Sequence, residues 1–182
     1  MKKIIFTIMM MVCFVSLTHA QINFGIKGGI NFANFNYKDT KLRIVNSTGW
    51  QAGALLQAQI PAIGLGIQPE LLYTVINGNV DKESNSIHYF KVPVNLYKSF
   101  NLVVVRPYLE AGPYFGYAVN FVGDVFESRI DRFDWGIGLG AGVGISKLLI
   151  GARYSWGLQD VSGVKDFEMK NNTFSLSLAL LF

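Results

Sequence analysis

From Phe24 to the last residue, large apolar side chains alternate with small or polar ones along the chain. The last ten residues show it most plainly. Phe174, Leu176, Leu178, Leu180 and Phe182 are apolar, with Thr173, Ser175, Ser177 and Ala179 between them. A period of two is the signature of a strand with one apolar face and one mild face. Eight segments carry this pattern, over residues 24–32, 50–60, 63–75, 89–97, 103–119, 132–145, 148–158 and 173–182. Most are about ten residues or longer, which suits a tilted strand crossing a bilayer and exceeds the usual globular strand. The connections alternate in length. Residues 34–46, 77–86, 122–130 and 159–171 are long and polar, whereas 61–62, 98–101 and 146–147 are short. An even number of strands, with short turns at one end and long loops at the other, is the layout of an outer-membrane barrel.

Alternation alone leaves open which face is inside, since a soluble lipocalin-like barrel has a similar strand count with its apolar face inward. Two features favour lipid outside. The mild face carries Lys27, Glu70, Lys91, Arg106, Glu110, Arg132, Asp134 and Arg153, mixed charges that can pair inside a narrow lumen. Aromatic residues, among them Trp50, Tyr73, Phe115, Phe133, Trp135, Tyr154, Trp156 and Phe182, lie near segment ends, as interfacial girdles require. The expected fold is therefore all-β: an eight-stranded antiparallel up-and-down transmembrane β-barrel. A barrel of that size has an interior that side chains fill. The glycines at 136, 138, 140, 142 and 144 then make room for bulky neighbours, and open-pore transport of large solutes is not expected.

The N-terminus changes the picture in one respect. Lys2 and Lys3 precede an apolar stretch over residues 4–17, and Thr18-His19-Ala20 supplies a small-x-small cleavage site. This reads as a secretory signal peptide over 1–20, with the barrel domain over 21–182 beginning at Gln21. The apolar stretch is too short to span a membrane as a helix. Cys13 is the one cysteine and lies within this segment, so disulfide and thiolate chemistry are excluded from the mature chain. The formal net charge of +4 includes Lys2 and Lys3. The remaining basic residues are scattered among acidic ones, without the run or stripe that follows a phosphate backbone. No nucleic-acid partner is expected.

Several stretches resemble the PorT-like outer-membrane β-barrel proteins of Bacteroidota. They are Ile67-Gln68-Pro69-Glu70-Leu71-Leu72-Tyr73, Tyr89-Phe90-Lys91-Val92-Pro93-Val94 and Arg106-Pro107-Tyr108-Leu109-Glu110-Ala111-Gly112-Pro113-Tyr114. Phe133-Asp134-Trp135-Gly136, Gly151-Ala152-Arg153-Tyr154-Ser155-Trp156-Gly157-Leu158 and the final strand continue the match in order. Lys91 departs from it, standing where the family often has an acidic residue. The resemblance implies an outer-membrane barrel of a Gram-negative cell, with periplasmic termini and extracellular long loops. It also implies a non-enzymatic envelope role, with an accessory part in type IX protein secretion.

Candidate chemistry is sparse. Gly136-Ile137-Gly138-Leu139-Gly140-Ala141 fits a loose dinucleotide-binding pattern, but its glycines lead into a strand rather than a helix, so nucleotide binding is not expected. Ser86 and His88 share a strand face near the predicted outer rim, where some barrels of this size hydrolyse lipid esters with a serine and a histidine. Spacing alone does not supply the required base geometry, so the pair reads as interfacial polar residues and no catalytic residue is assigned. A small-solute pore is a further alternative. Glu70, Arg106, Glu110 and Arg153 are the expected lumen ion-pair network, structural in purpose because an unpaired charge there is costly. Asp124, Glu127, Arg129 and Asp131 are too loosely spaced for calcium, and neither metal nor cofactor is expected. The expected partners are outer-membrane lipid, the barrel-assembly machinery through a C-terminal signal ending at Phe182, and envelope or secretion proteins.

Overall fold

The computed structural model describes residues 21–37, 47–60, 63–80, 83–100, 102, 104–122, 132–158 and 169–182. The signal peptide expected over 1–20 and much of the predicted loops at 34–46, 122–130 and 159–171 lie outside them. Eight strands follow one another: β1 Gln21–Tyr37, β2 Ser47–Ile60, β3 Leu65–Val80, β4 Glu83–Ser99, β5 Arg106–Val122, β6 Phe133–Ile145, β7 Leu148–Gly157 and β8 Met169–Leu181. Each pairs antiparallel with the next, and β1 pairs with β8 to close the barrel. The predicted fold class is the observed one.

Strand ends differ from the sequence pattern. β3 starts at Leu65, because Ile63 and Gly64 turn the chain by donating to the Ile60 carbonyl at 3.3 and 2.9 Å. Gly64 adopts φ 63°, a left-handed conformation that a side chain disfavours. β5 starts at Arg106 rather than at 103. The connection expected over 77–86 is mostly strand: β3 and β4 remain paired out to Val80 opposite Glu83.

The faces are inverted relative to a soluble barrel. In β6 the outward residues Ile137 and Leu139 are 48 % and 53 % exposed, whereas inward Asp134 is 1 % exposed. The remaining strands follow suit, with Ile26, Leu56, Leu71, Leu96, Leu109, Ile150 and Leu178 outward and Asn31, Gln57, Gln68, Glu70 and Asn95 buried inside. Soluble monomers rarely expose so continuous a cover of large aliphatic side chains, which marks a membrane or interaction surface. Aromatic pairs gird the long-loop end, with centroids 5.4 Å apart for Tyr73–Phe90, 5.9 Å for Trp50–Tyr73 and 4.8 Å for Tyr154–Trp156. At the short-turn end Phe24 stacks on Phe182 at 6.4 Å.

The lumen is filled in layers. At the short-turn end Leu55, Tyr97, Tyr108, Leu149, Ala179 and Leu181 form an apolar cluster, its two tyrosine rings stacked at 5.0 Å. Above it lies the charged layer.

Candidate functional site in the barrel lumen

Four charged side chains meet in the middle of the barrel, one from every second strand: Lys27 of β1, Glu70 of β3, Glu110 of β5 and Arg153 of β7. Register brings them to one height. Glu110 pairs with Gly140 and Gly140 with Arg153, so the two charges flank a residue without a side chain. Arg153 reaches across that gap. Its Nε and Nη2 donate to Glu110 Oε1 at 2.9 and 2.6 Å. A Cβ on Gly140 would stand 2.7 Å from the same oxygen. We expect Gly140→Ala to displace Glu110 from Arg153 and to destabilise the barrel by about 1–3 kcal/mol, read as a lower urea midpoint in detergent.

Glu70, 2 % exposed, is saturated with donors. Lys27 Nζ donates to both its oxygens at 3.0 and 2.9 Å. Gln68 and Asn95 donate to Oε1 at 2.8 and 3.1 Å, and Arg153 Nη2 reaches it at 3.5 Å. Gln57 in turn donates to Gln68 Oε1 at 2.9 Å, so amides extend the layer to β2. Two cations and two carboxylates thus neutralise one another in a space where water cannot do so.

Of the sequence-predicted group, Glu70, Glu110 and Arg153 come together and Arg106 does not. Arg106 lies four residues before Glu110 on β5, about 13 Å nearer the short-turn end at the usual strand rise, and its Nη2 donates to the Ser146 carbonyl. Lys27 takes the place assigned to it. The sequence marks Lys27 as a lumen-facing charge, but only the β1–β2–β3 register sets its height. Above the layer Lys91 sits over the Tyr114 ring, 4.1 Å from its centroid, and the Tyr114 hydroxyl reaches both Asp134 oxygens at 3.5 Å.

His88 and Ser86 face outward near the long-loop end. Tyr73 Oη and His88 Nδ1 are hydrogen-bonded at 2.7 Å. Among the described residues no hydrogen bond joins Ser86 to His88. Phe182 is 59 % exposed, and its backbone N–H donates to the Phe24 carbonyl at 2.7 Å, anchoring the C-terminus to β1. Among the described residues no group of histidine, cysteine and carboxylate side chains could hold a metal ion.

Residues 17–163 match the family model for the outer membrane protein beta-barrel domain. The chain belongs to that family. Its outward apolar face is therefore the face that meets the lipid of an outer membrane. Solved outer membrane barrels are similar in fold. Ail, the attachment invasion locus protein of Yersinia pestis, in complex with the heparin analogue sucrose octasulfate, superposes with TM-score 0.54 at 18% identity, covering 89% of this chain and 99% of Ail. Neisserial surface protein A gives TM-score 0.58 at 18% identity, over 87% of this chain and 97% of that one. The outer membrane enzyme PagL gives TM-score 0.56 at 12% identity, over 85% and 98%. At such identities the likeness is one of fold. No curated protein sequence matches the chain.

Proposed function

We propose that this outer membrane barrel is a non-enzymatic structural or interaction protein of the cell envelope, working through its ends rather than its lumen. The observation that carries this reading is the filled interior: a neutralised charge layer of Lys27, Glu70, Glu110 and Arg153 stacked on the apolar cluster around Tyr97 and Tyr108. A lumen blocked twice is poorly suited to passing solute. What remains for function is the long-loop end, the short-turn end and the girdle between them. In this reading the long loops lie outside the cell and both termini lie in the periplasm.

The PorT-like resemblance adds an accessory part in type IX secretion in a Bacteroidota cell. Deleting the gene and comparing surface and supernatant proteomes with the parent strain tests that part. Loss of many surface proteins, with precursors held in the periplasm, supports secretion; an unchanged export profile overturns it and leaves envelope integrity as the role. Phe182 is read as the end of the signal for the barrel-assembly machinery. Phe182→Ala is expected to lower the amount of folded barrel in the outer membrane several-fold without changing synthesis, as read by heat-shifted gel mobility.

A second reading has one observation in its favour. The Tyr73–His88 hydrogen bond orients an imidazole on the lipid-facing rim, on the face it shares with Ser86, as an ester hydrolase of membrane lipid would need. The missing link from Ser86 to His88 ranks it second.

A further inference from the structure

The β4–β5 hairpin runs on past the rim of the barrel. Its strands last pair at Ser99 opposite Tyr108. Beyond them the Phe100 N–H donates to the Pro107 carbonyl at 2.9 Å and the Leu102 N–H to the Val105 carbonyl at 3.2 Å, so the tip lies between Leu102 and Val105. The neighbouring turns stop at the base of this extension. Gly64 accepts from the Ser99 N–H at 2.7 Å, and Arg106 donates to the Ser146 carbonyl. The tip is apolar and uncovered: Phe100 and Leu102 are exposed, and Val104 is 76 % exposed. A turn that meets water ordinarily carries polar residues or glycine instead.

Two observations say what covers it. The first is continuity with the lipid-facing wall. Leu96, Lys98 and Phe100 lie on one outward row, and Leu109 stands beside Lys98. Phe100 is ten residues along the chain from Phe90 of the long-loop girdle. At about 3.3 Å per residue and a tilt of about 40° that distance is about 25 Å, the height of an apolar belt. Phe100 is therefore level with the hydrocarbon edge. Leu102 lies about 5 Å past it, still inside a headgroup layer about 5–7 Å deep.

The second observation is charge. Lys98 and Arg106 bracket the tip, and Lys147 stands in the next turn. The Lys98 ammonium lies 5.7 Å from the centroid of the Phe100 ring and donates to the Ile63 carbonyl. Both bracketing cations thus donate to neutral carbonyls, and among the described residues no ion pair compensates them. Residues 21–26, 56–66, 95–109, 143–150 and 178–182, which make up this end, hold no aspartate or glutamate. Apart from the terminal carboxylate of Phe182, its charges are positive, and the layer they enter is one of phosphates.

We propose that the hairpin tip over residues 100–105 is an anchor in the phospholipid leaflet at the short-turn end. Phe100 lies at the acyl edge, Leu102 and Val104 lie among the glycerol backbones, and Lys98 meets a lipid phosphate. A long cationic side chain on an apolar row reaches the headgroups in this way while its stem stays in apolar surroundings. The anchor rests on the lipid-facing wall and is independent of the envelope role proposed above.

The test places a fluorophore on the tip of the full-length protein, folded into nanodiscs of phosphatidylcholine and phosphatidylglycerol, where both faces are open to solution. Val104→Cys, combined with Cys13→Ser to leave a single thiol, takes the label. Lipids brominated near the top of their acyl chains are expected to quench it strongly. Aqueous iodide is expected to quench it far less than in the urea-unfolded chain. Lys98→Gln should raise iodide access about fivefold, the loss of one cation's attraction to the headgroups. Heat-shifted gel mobility confirms that each variant is folded, and Leu102→Cys carries the label if Val104→Cys does not fold. A label open to iodide and untouched by brominated lipid overturns the proposal, because the tip then stands in water, as a docking site for a protein would. Unchanged iodide access in folded Lys98→Gln overturns the phosphate contact.

Discussion

Replacing Glu70 with Ala is expected to cost the barrel about 3–5 kcal/mol, the usual penalty for removing one partner of a buried ion pair. The size of the effect follows from what Glu70 holds. Its carboxylate is the sole ion-pair partner of Lys27 among the described residues and a second partner for Arg153. It also accepts from Gln68 and Asn95. Truncation leaves an ammonium ion with no counter-charge at 8 % side-chain exposure. Arg153 retains Glu110 at 2.6 Å, so the damage centres on Lys27. Removing both charges, as Lys27→Met with Glu70→Leu, should therefore recover most of the loss. Urea unfolding in detergent, followed by tryptophan fluorescence, measures both variants. A single variant as stable as the wild type would mean that the layer does not brace the barrel.

The second large effect belongs to the opposite face. Leu139 stands in the middle of β6 with its side chain outward and 53 % exposed. Leu139→Arg should cost about 2–4 kcal/mol in lipid vesicles, the penalty for a cation at the bilayer midplane. In a soluble barrel the same exposed position would accept arginine with little change, within about 0.5 kcal/mol. The variant therefore discriminates sharply between lipid and water as the solvent of this face.

Much of this was legible in the sequence, and the reasons are physical. The apolar faces of β6 and β8 could be read because lipid selects one side of every pleat, so Phe133 to Ile145 and Phe174 to Phe182 alternate almost without fault. That selection ends where a strand leaves the hydrocarbon. Asn77 to Ser86 reads as loop, yet Asn77 to Val80 stay paired with Glu83 to Ser86 in the β3–β4 ladder, where side-chain polarity no longer reports on pairing. Val105 misleads in the opposite sense, being apolar but lying outside β5. In the lumen, alternation gives the face of a charge and not its height. Glu110 and Arg153 are level through Gly140, while Arg106 on the same face of β5 lies too low and Lys27 rises into the layer. Height depends on register, and register depends on turns such as the one that Ile63 and Gly64 close on the Ile60 carbonyl, whose local signals, Pro61 and Gly64, mark a turn without fixing its register.

A barrel that spans the outer membrane with its interior closed by side chains should pass no steady ionic current, which conductance measures. Purified protein reconstituted into a planar lipid bilayer should show no discrete current steps above the lipid baseline over ordinary applied voltages. The Glu70→Ala variant, if it inserts, should show at most brief openings. Stable ohmic steps from the wild-type barrel would rule out a closed interior. They would mean that the Lys27–Glu70–Arg153–Glu110 layer and the tyrosine cluster beneath it open to form a pore.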